Sequence, residues 1–468
     1  MVVGDIEVGT DVLVIGAGPA GYTAAIRLGQ TGLDVTLAGP ELGGVCLNRG
    51  CIPVKGMIRT LDLAAEVKNA DAMGIKTHGV EVELNKVQAR NARVIGKLQS
   101  GIRSLLNASG VQVFEGTCSF TSSTTVAVRA HGGTQQVRFK KAIIATGLHY
   151  IVPEGIRPDG RHILFPHSIA RLEKVPDSAV VLGGGIDGAT MSSLLAKMGS
   201  KVTLAYKAAS LVPAIDDDVL QPAMKNLEGL GVQAFSQASW EVSSDRREVT
   251  IRAGEEVHKR TPDLILVCSP MAPNLETLAL DRTKVRLTDK GFIEVDDNYR
   301  TADPAIYAIG DVLGGRRNAS TAFREGISVA EILAGKPGLP GFQAFPTTIN
   351  VGLEIAAAGM GEKAAKKAGI EVTVSRSSYS VNGGAATFGM EDGFIKVVAE
   401  KQTGRILGTQ IVGYRAGDLI GEALLAIETG SRLEDVALTL HPHPELNEIF
   451  ADACARAAGL SANVSRKT

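Results

Sequence analysis

The stretch Asp11-Val-Leu-Val-Ile15-Gly16-Ala-Gly18-Pro-Ala-Gly21-Tyr22-Thr-Ala-Ala-Ile-Arg-Leu-Gly-Gln30 decides the fold. An apolar strand-type run, Asp11 to Ile15, enters a turn bearing Gly16, Gly18 and Gly21, and the turn opens onto a helical run from Tyr22 to Gln30. A second apolar run, Asp34 to Ala38, follows the break at Thr31-Gly32. Strand, glycine turn, helix and strand in that order open a dinucleotide-binding unit. Glycine lets the backbone approach a pyrophosphate, and the helix behind the turn offers N–H groups and a favourable dipole.

The same pattern returns inside the chain. Ala179-Val-Val-Leu182 enters Gly183-Gly-Gly185-Ile-Asp-Gly188, a helix runs to Met198, and a strand covers Lys201 to Ala205. One such turn can equally be a plain tight turn. Two copies, each set between an apolar strand and a helix, favour two dinucleotides on one chain. Each unit lacks the acid that would bond ribose hydroxyls at the end of its second strand. In the first unit Gly39 stands there, leaving Glu41 as the candidate; in the second it is Tyr206, followed by Lys207. A missing acid removes repulsion against a 2′-phosphate, which Lys207 could pair with. A solvated surface lysine accounts for Lys207 equally well.

Outward from these units, a long polar-rich helix is expected from Val82 to Asn107, and short strands from Val111 to Lys141 end in Ala142-Ile-Ile-Ala-Thr-Gly147. Near Thr301 the chain returns to an apolar run ending in glycine, Ala305-Ile-Tyr-Ala-Ile-Gly310-Asp311. Beyond Pro346 the text turns to alternating β-type runs, then to amphipathic helices at Ala416–Gly430 and Pro444–Ala458. The fold class is therefore α/β, with two Rossmann-like dinucleotide-binding domains and a C-terminal α+β domain. The segments are 1–150, 151–275, 276–345 and 346–468.

Composition narrows the function. At 468 residues several domains are needed, and 44% apolar with 21% charged residues is the balance of a soluble globular protein. A formal charge of −1 gives no electrostatic reason for nucleic acid or an anionic membrane as partner. No apolar stretch is long enough to span a bilayer, and MVVGDIEVGT lacks the basic region of a secretory leader. A cytoplasmic enzyme is expected. Five cysteines, at 46, 51, 118, 268 and 454, are too few and scattered for a disulfide framework.

Two of them stand together in Gly43-Gly-Val-Cys46-Leu-Asn-Arg-Gly-Cys51-Ile-Pro-Val-Lys55. That spacing can close a disulfide if the first turn of a helix is distorted between them. Arg49, Lys55 and a nearby helix N-terminus would favour thiolate, the form that exchanges disulfides. Pro53 suits the first turn of the helix. A metal would need further Cys or His ligands nearby, and the sequence has none there, so no metal is expected. Two buried structural thiols are the alternative.

With these residues in place, the chain resembles the flavoprotein disulfide reductases, and among them the dihydrolipoamide dehydrogenases, over essentially its whole length. The resemblance implies that Gly16, Gly18 and Gly21 form the FAD pyrophosphate loop. Ala145-Thr-Gly147 and Ala308-Ile-Gly310-Asp311 match two further FAD motifs, with Asp311 holding the ribityl or pyrophosphate part. GGVCLNRGCIPVK resembles the redox segment: Cys46 would be the interchange thiol, Cys51 would lie against the flavin, and Lys55 near its ring. His441-Pro-His443-Pro-Glu-Leu-Asn-Glu448 is similar to the family's active-site run, with His443 as acid–base and Glu448 orienting it. A thiol must lose a proton to attack a disulfide, imidazole is poised to take it, and a carboxylate on the far nitrogen fixes the tautomer.

Carried over, the resemblance makes 1–150 and 276–345 the FAD domain, 151–275 the NAD(P) domain and 346–468 the dimerisation domain. It implies oxidation of a protein-bound dihydrolipoyl group through Cys46 and Cys51, electrons passing via FAD to NAD or NADP. The partners implied are a lipoylated carrier protein and a second copy of the chain. The nicotinamide half, with Gly183, Gly185, Gly188, Tyr206 and Lys207, departs from the family. Tyr206 replaces a Glu, Thr190 stands where another Glu pairs with the lysine matching Lys55, and Asp187 takes a usually apolar place. Ser269-Pro-Met-Ala-Pro-Asn274 lacks the usual Gly-Arg, and the second basic position of NADP-preferring relatives is Pro213. An NADPH-dependent reductase of another disulfide, and a flavin redox subunit with a decayed nicotinamide site, remain the competing readings.

Overall fold

The apolar run at residues 11–15 becomes the middle of a sheet because it is buried on both faces. The computed structural model describes residues 7–130, 132–315 and 317–463. In it the strand Glu7–Ile15 pairs in parallel with Val35–Gly39 on one side and with Gly133–Ile144 on the other. All five residues of Val35–Gly39 are buried, as a parallel strand covered on both sides requires. The sheet continues to Gln112–Glu115 at one end and through Thr125–Ala130 to Thr117–Ser122 at the other, and Ile306–Ala308 adds a further parallel strand to Gly133–Ile144. The helix Pro19–Gln30 lays Ala20, Ala24, Ala25 and Leu28 into this core. Its small residues at helical spacing let backbone come close to the sheet.

These elements belong to one of two compact units, formed by the chain up to Glu154 with Phe165–Lys174 and Ser269–Pro340. The other unit gathers Gly155–Leu164, Val175–Cys268 and the chain from Gly341 onward. Its first sheet is all parallel, in the order Gln233–Phe235, Lys201–Ala205, Ser178–Leu182, Leu264–Val267, Ile163–Leu164. An antiparallel ribbon of Ser239–Val242, Val249–Ala253 and Glu256–Arg260 lies between its last strands in sequence. Its second sheet is antiparallel, in the order Thr347–Val351, Leu353–Gly359, Ile406–Gly413, Gly393–Glu400, Val372–Ser378. The helices Ala416–Glu428 and Glu448–Ala457 supply Ile420, Ala423 and Phe450 to the core it shares with Tyr379, Ile395 and Ile411.

The fold class read from the sequence is the one observed, and most helix and strand ends lie within two residues of the expected ones, although the first strand starts at Glu7 and the first helix at Pro19. The last helix is different. It starts at Glu448 rather than Pro444, because the Glu445 N–H donates to the Glu448 carboxylate at 3.1 Å and holds the intervening residues in a turn. No helix among the described residues is long and apolar enough to cross a membrane.

Candidate redox and dinucleotide sites

Cys46 sits on the short helix Gly44–Asn48, and Cys51 begins the helix Cys51–Lys68. Arg49 (φ −140°) and Gly50 (φ −111°, ψ −107°) break what would otherwise be one continuous helix. The carbonyl of Val45 accepts from both residues, at 2.9 Å from Arg49 N and 2.7 Å from Gly50 N. The break brings the two sulfurs into hydrogen-bonding contact. It is the distortion the spacing demanded.

The cysteine segment is fixed onto the first glycine turn. Gly43 N–H donates to Ala17 O at 2.8 Å. Gly44 has φ +60°, and a Cβ there would lie 2.7 Å from Gly18 Cα, so only glycine suits the contact. Asn48 Nδ2 donates to Leu42 O at 3.0 Å, and Gln99 Nε2 donates to Asn48 Oδ1 at 2.9 Å. Further along, buried Asn91 donates to Pro53 O at 2.9 Å. Helix 84–108 thus clamps both helices that carry the cysteines.

The electrostatics of the pair differ from the sequence expectation. The Cys46 thiol is pushed far above its ordinary range, first by its hydrogen bond with Cys51, then by burial and by the negative charges of Cys51 and Asp311. Arg49 does not relieve this, since its guanidinium pairs with Glu41 at 3.0 Å. Lys55 is exposed one turn beyond Cys51. Burial and the Cys46 charge push the Tyr22 hydroxyl up to about 12. Burial raises Asp311, partly offset by Arg317. Burial also raises Glu325, against the Gly310 N–H donating to its carboxylate at 2.6 Å, and Asp311 raises it further.

These residues fit a flavin dinucleotide. A Cβ at residue 21 would lie 1.7 Å from Gly16 O, which keeps strand, turn and helix in the close packing of a pyrophosphate loop. The helix that follows has Gly18 as its N-cap and no side-chain cap, so its first N–H groups are available to an anion. Thr146 Oγ1 and Thr321 Oγ1 are buried without hydrogen-bond partners, and groups of that kind call for a ligand or water. Thr146 stands beside Gly147, and Thr321 lies near Asp311 and Glu325 around a small cavity. Glu325 and Thr321 were invisible in the sequence, where no spacing rule marks them.

The second glycine turn is built the same way: a Cβ at residue 188 would lie 2.1 Å from Gly183 O, and Gly185 has φ +74°. Its helix, Gly185–Lys197, also lacks a side-chain cap, but carries Asp187 in its first turn. Burial and the Asp187 charge raise the neighbouring Cys268 thiol. Tyr206 is buried, and its hydroxyl is hydrogen-bonded with Ser236. Lys207 is exposed, with Nζ 5.4 Å from the centroid of the Trp240 ring. The turn geometry fits a dinucleotide, while Tyr206 offers no carboxylate to a ribose diol.

In the other half of that unit, the two histidines of the 441–448 run are treated differently. His441 is 6% exposed, with Nδ1 2.8 Å from Thr439 O and Nε2 2.8 Å from Glu422 Oε1. His443 is 78% exposed and its Nδ1 lies 3.0 Å from Glu448 Oε1. A carboxylate there fixes the proton on Nδ1 and leaves Nε2 as the basic nitrogen. The cysteines and the His443–Glu448 pair belong to separate units. Among the described residues no group of three or more His, Cys, Asp or Glu side chains is arranged to hold a metal ion.

Comparison with known proteins agrees with this geometry. Residues 10–326 match the family described as pyridine nucleotide-disulphide oxidoreductase, and residues 345–454 match its dimerisation domain. The chain is 38% identical over 471 residues to the dihydrolipoyl dehydrogenase of Geobacillus stearothermophilus, covering 100% of both. It is also 38% identical to dihydrolipoyl dehydrogenase 2 of Haloarcula marismortui, over 98% of this chain and 99% of that one. Two solved structures share the fold: LpdA from Mycobacterium tuberculosis (TM-score 0.87, 24% identity, 96% and 99% covered) and the flavoprotein disulfide reductase RclA from Escherichia coli (0.85, 23%, 96% and 99%). With paired thiols against a glycine turn, a second such turn, and both family segments matched in order, the chain belongs to the pyridine nucleotide-disulphide oxidoreductases.

Proposed function

We propose that the protein oxidises a dihydrolipoyl group carried on a partner protein, by disulfide exchange at Cys46 and Cys51. The observation that carries this reading is the hydrogen-bonded thiol pair seated on the first glycine turn. In the oxidised protein the two sulfurs form a disulfide. One thiol of the substrate, deprotonated by Nε2 of the His443 that the second copy of the chain would bring to the pair, attacks the Cys46 sulfur and releases Cys51 as thiolate. The second substrate thiol then displaces Cys46, closing the lipoyl disulfide and leaving two electrons on the cysteine pair. Glu448 holds the imidazole tautomer and stabilises the imidazolium. Gly16, Gly18, Gly21, Gly147 and Asp311 would hold FAD, and Gly183, Gly185 and Gly188 a pyridine nucleotide; together these groups would supply the two-electron acceptor for the reduced cysteine pair.

The dimerisation segment supports a homodimer. The thiol chemistry suits the reducing cytoplasm, where a close cysteine pair is redox-active rather than a structural staple. Anaerobic absorbance titration of the holoenzyme with dihydrolipoamide tests the reading. Flavin reduction by stoichiometric dithiol is expected, and it is lost in Cys46→Ser and Cys51→Ser proteins that still hold FAD. A flavin that stays oxidised, or full turnover in either variant, would sink the assignment.

A further inference from the structure

We infer that the outer face of the helix Leu84–Ala108 docks an acidic protein surface, that of the carrier bearing the dihydrolipoyl group. This rests on the reading above for the group that is carried, not for the docking face.

The helix holds five basic residues, Lys86, Arg90, Arg93, Lys97 and Arg103, and not one Asp or Glu. The whole chain is balanced, with 49 basic and 50 acidic residues, so charge has been segregated locally. At about 100° per residue, Lys86, Arg90, Arg93 and Lys97 fall within about 60° of one another and run for about 16 Å along the axis. All four are exposed. The other side of the helix faces inward, where Val87, Asn91 and Leu106 are buried.

Such a stripe weakens the helix that carries it. Like charges three and four residues apart repel, and Lys86 opposes the helix dipole in a first turn that has no acid. Lys86 is paired with Glu83 and Arg103 with Glu115. Arg90, Arg93 and Lys97 have no ion pair among the described residues, and their charge is left for a partner outside the chain. A protein surface with a few carboxylates matches three cations spread over two helical turns. Nucleic acid matches less well, because a chain of net charge −1 offers a polyanion no overall attraction.

The place of the stripe ties it to the redox pair. Asn91, between Arg90 and Arg93 in sequence, donates to Pro53 O on the helix that begins at Cys51. Gln99, two residues past Lys97, donates to Asn48 on the helix that carries Cys46. An acidic domain seated on the outer face is held one helix thickness from the two helices whose thiols its dithiol must reach. Complementary charge of this kind speeds encounter and fixes register.

Two synthetic peptides carrying one lipoyl-lysine each serve as probes, one flanked by glutamates and the other by glutamines. Calorimetry measures binding of the oxidised peptides to the holoenzyme, and absorbance follows flavin reduction by the reduced ones. At low ionic strength the acidic peptide should bind about tenfold tighter than the neutral one, and the gap should close as salt rises to about 0.3 M. Arg90→Gln, Arg93→Gln and Lys97→Gln combined should erase the gap by weakening the acidic peptide alone. Lys284→Gln, Arg286→Gln and Lys290→Gln combined remove the same charge from another exposed segment of the same unit, and should keep it. Equal binding of the two peptides, a gap that survives the first substitution set, or one that the second set also erases overturns the inference. So does a dimer that dissociates with the first set in sedimentation velocity, which would make the face a contact between copies. A gap with no flavin reduction by either reduced peptide removes the dithiol reading alone, and flavin reduction with no gap removes this inference alone.

Discussion

Glu448 holds Nδ1 of His443 at 3.0 Å while the rest of the imidazole stays exposed. The carboxylate itself begins a helix, and it also accepts from Glu445 N–H at 3.1 Å, so its position is fixed by backbone. Replacing His443 by Gln should lower dithiol turnover by about 10²- to 10⁴-fold, the range of a lost general base. Glu448→Gln keeps the shape but loses the charge. Its kcat should fall by roughly tenfold or more, because the carboxylate no longer fixes the tautomer or stabilises the imidazolium. Steady-state rates of the two variants check both, and full turnover in Glu448→Gln would remove the pair from the mechanism.

The Cys46 thiol is held in its protonated form by Cys51 first, then by burial and Asp311. Compared with the parent protein in its reduced-thiol form, Cys51→Ala should therefore bring the Cys46 pKa down towards the ordinary thiol range, and Asp311→Asn should lower it by less. Alkylation rates of Cys46 by iodoacetamide between pH 6 and about 10 read this directly, since only thiolate reacts. A Cys46 titration that ignores Cys51 would contradict the order of causes.

How much of this was legible follows from how local each constraint is. The glycine turns, the Cys46–Cys51 spacing and the His443–Glu448 pair are short-range patterns, and each needs only a few residues to state its geometry. Arg49 looked like a cation for the thiols because its partner Glu41 is brought round by the left-handed Gly43 and Gly44. Tyr206 stands at the strand end where a ribose-binding acid is expected, and packing against Gly184 buries it. Glu325 and Thr321 lie on one turn of the helix Ala319–Leu333, and only the tertiary fold puts them beside Asp311.

Asn91 and Gly56 are another long-range pair that sequence spacing hides. A Cβ on residue 56 would lie 2.2 Å from Asn91 Oδ1, on the same helix as Cys51. Gly56→Ala should cost about 1–3 kcal/mol by overpacking. Asn91→Ala loses the bond to Pro53 O and should cost a similar amount. Because the double substitution gives the new methyl the vacated space, its loss should be smaller than the two single losses together. Urea midpoints of the four proteins close the cycle, and strict additivity would mean that the two residues do not compete for one space.

Lys396 makes the strongest stability prediction. Its side chain is 2% exposed, and Nζ lies 3.0 Å from Asp216, 3.0 Å from Asp218 and 2.8 Å from Glu362. Asp216 also accepts from the N–H groups of Glu362 and Lys363, and its own N–H donates to Gln410 at 3.0 Å. The cluster thus ties the helix Asp217–Gly229 to the strand Gly393–Glu400 within one unit. Lys396→Met leaves three carboxylates facing one another, and removing one side of a buried pair costs about 3–5 kcal/mol. Hydrogen bonds from Lys366 and then Lys396 hold the Glu362 carboxyl down at about 2. A folded pKa below the unfolded one adds stability above the unfolded value of about 4.3, and that stability is lost as pH falls towards about 2. Unfolding free energy should therefore drop less steeply with acidification in Glu362→Gln than in the parent protein. Urea unfolding at a series of pH values between 5 and about 3 measures the two slopes, and equal slopes would show that Glu362 does not carry this share of the acid sensitivity.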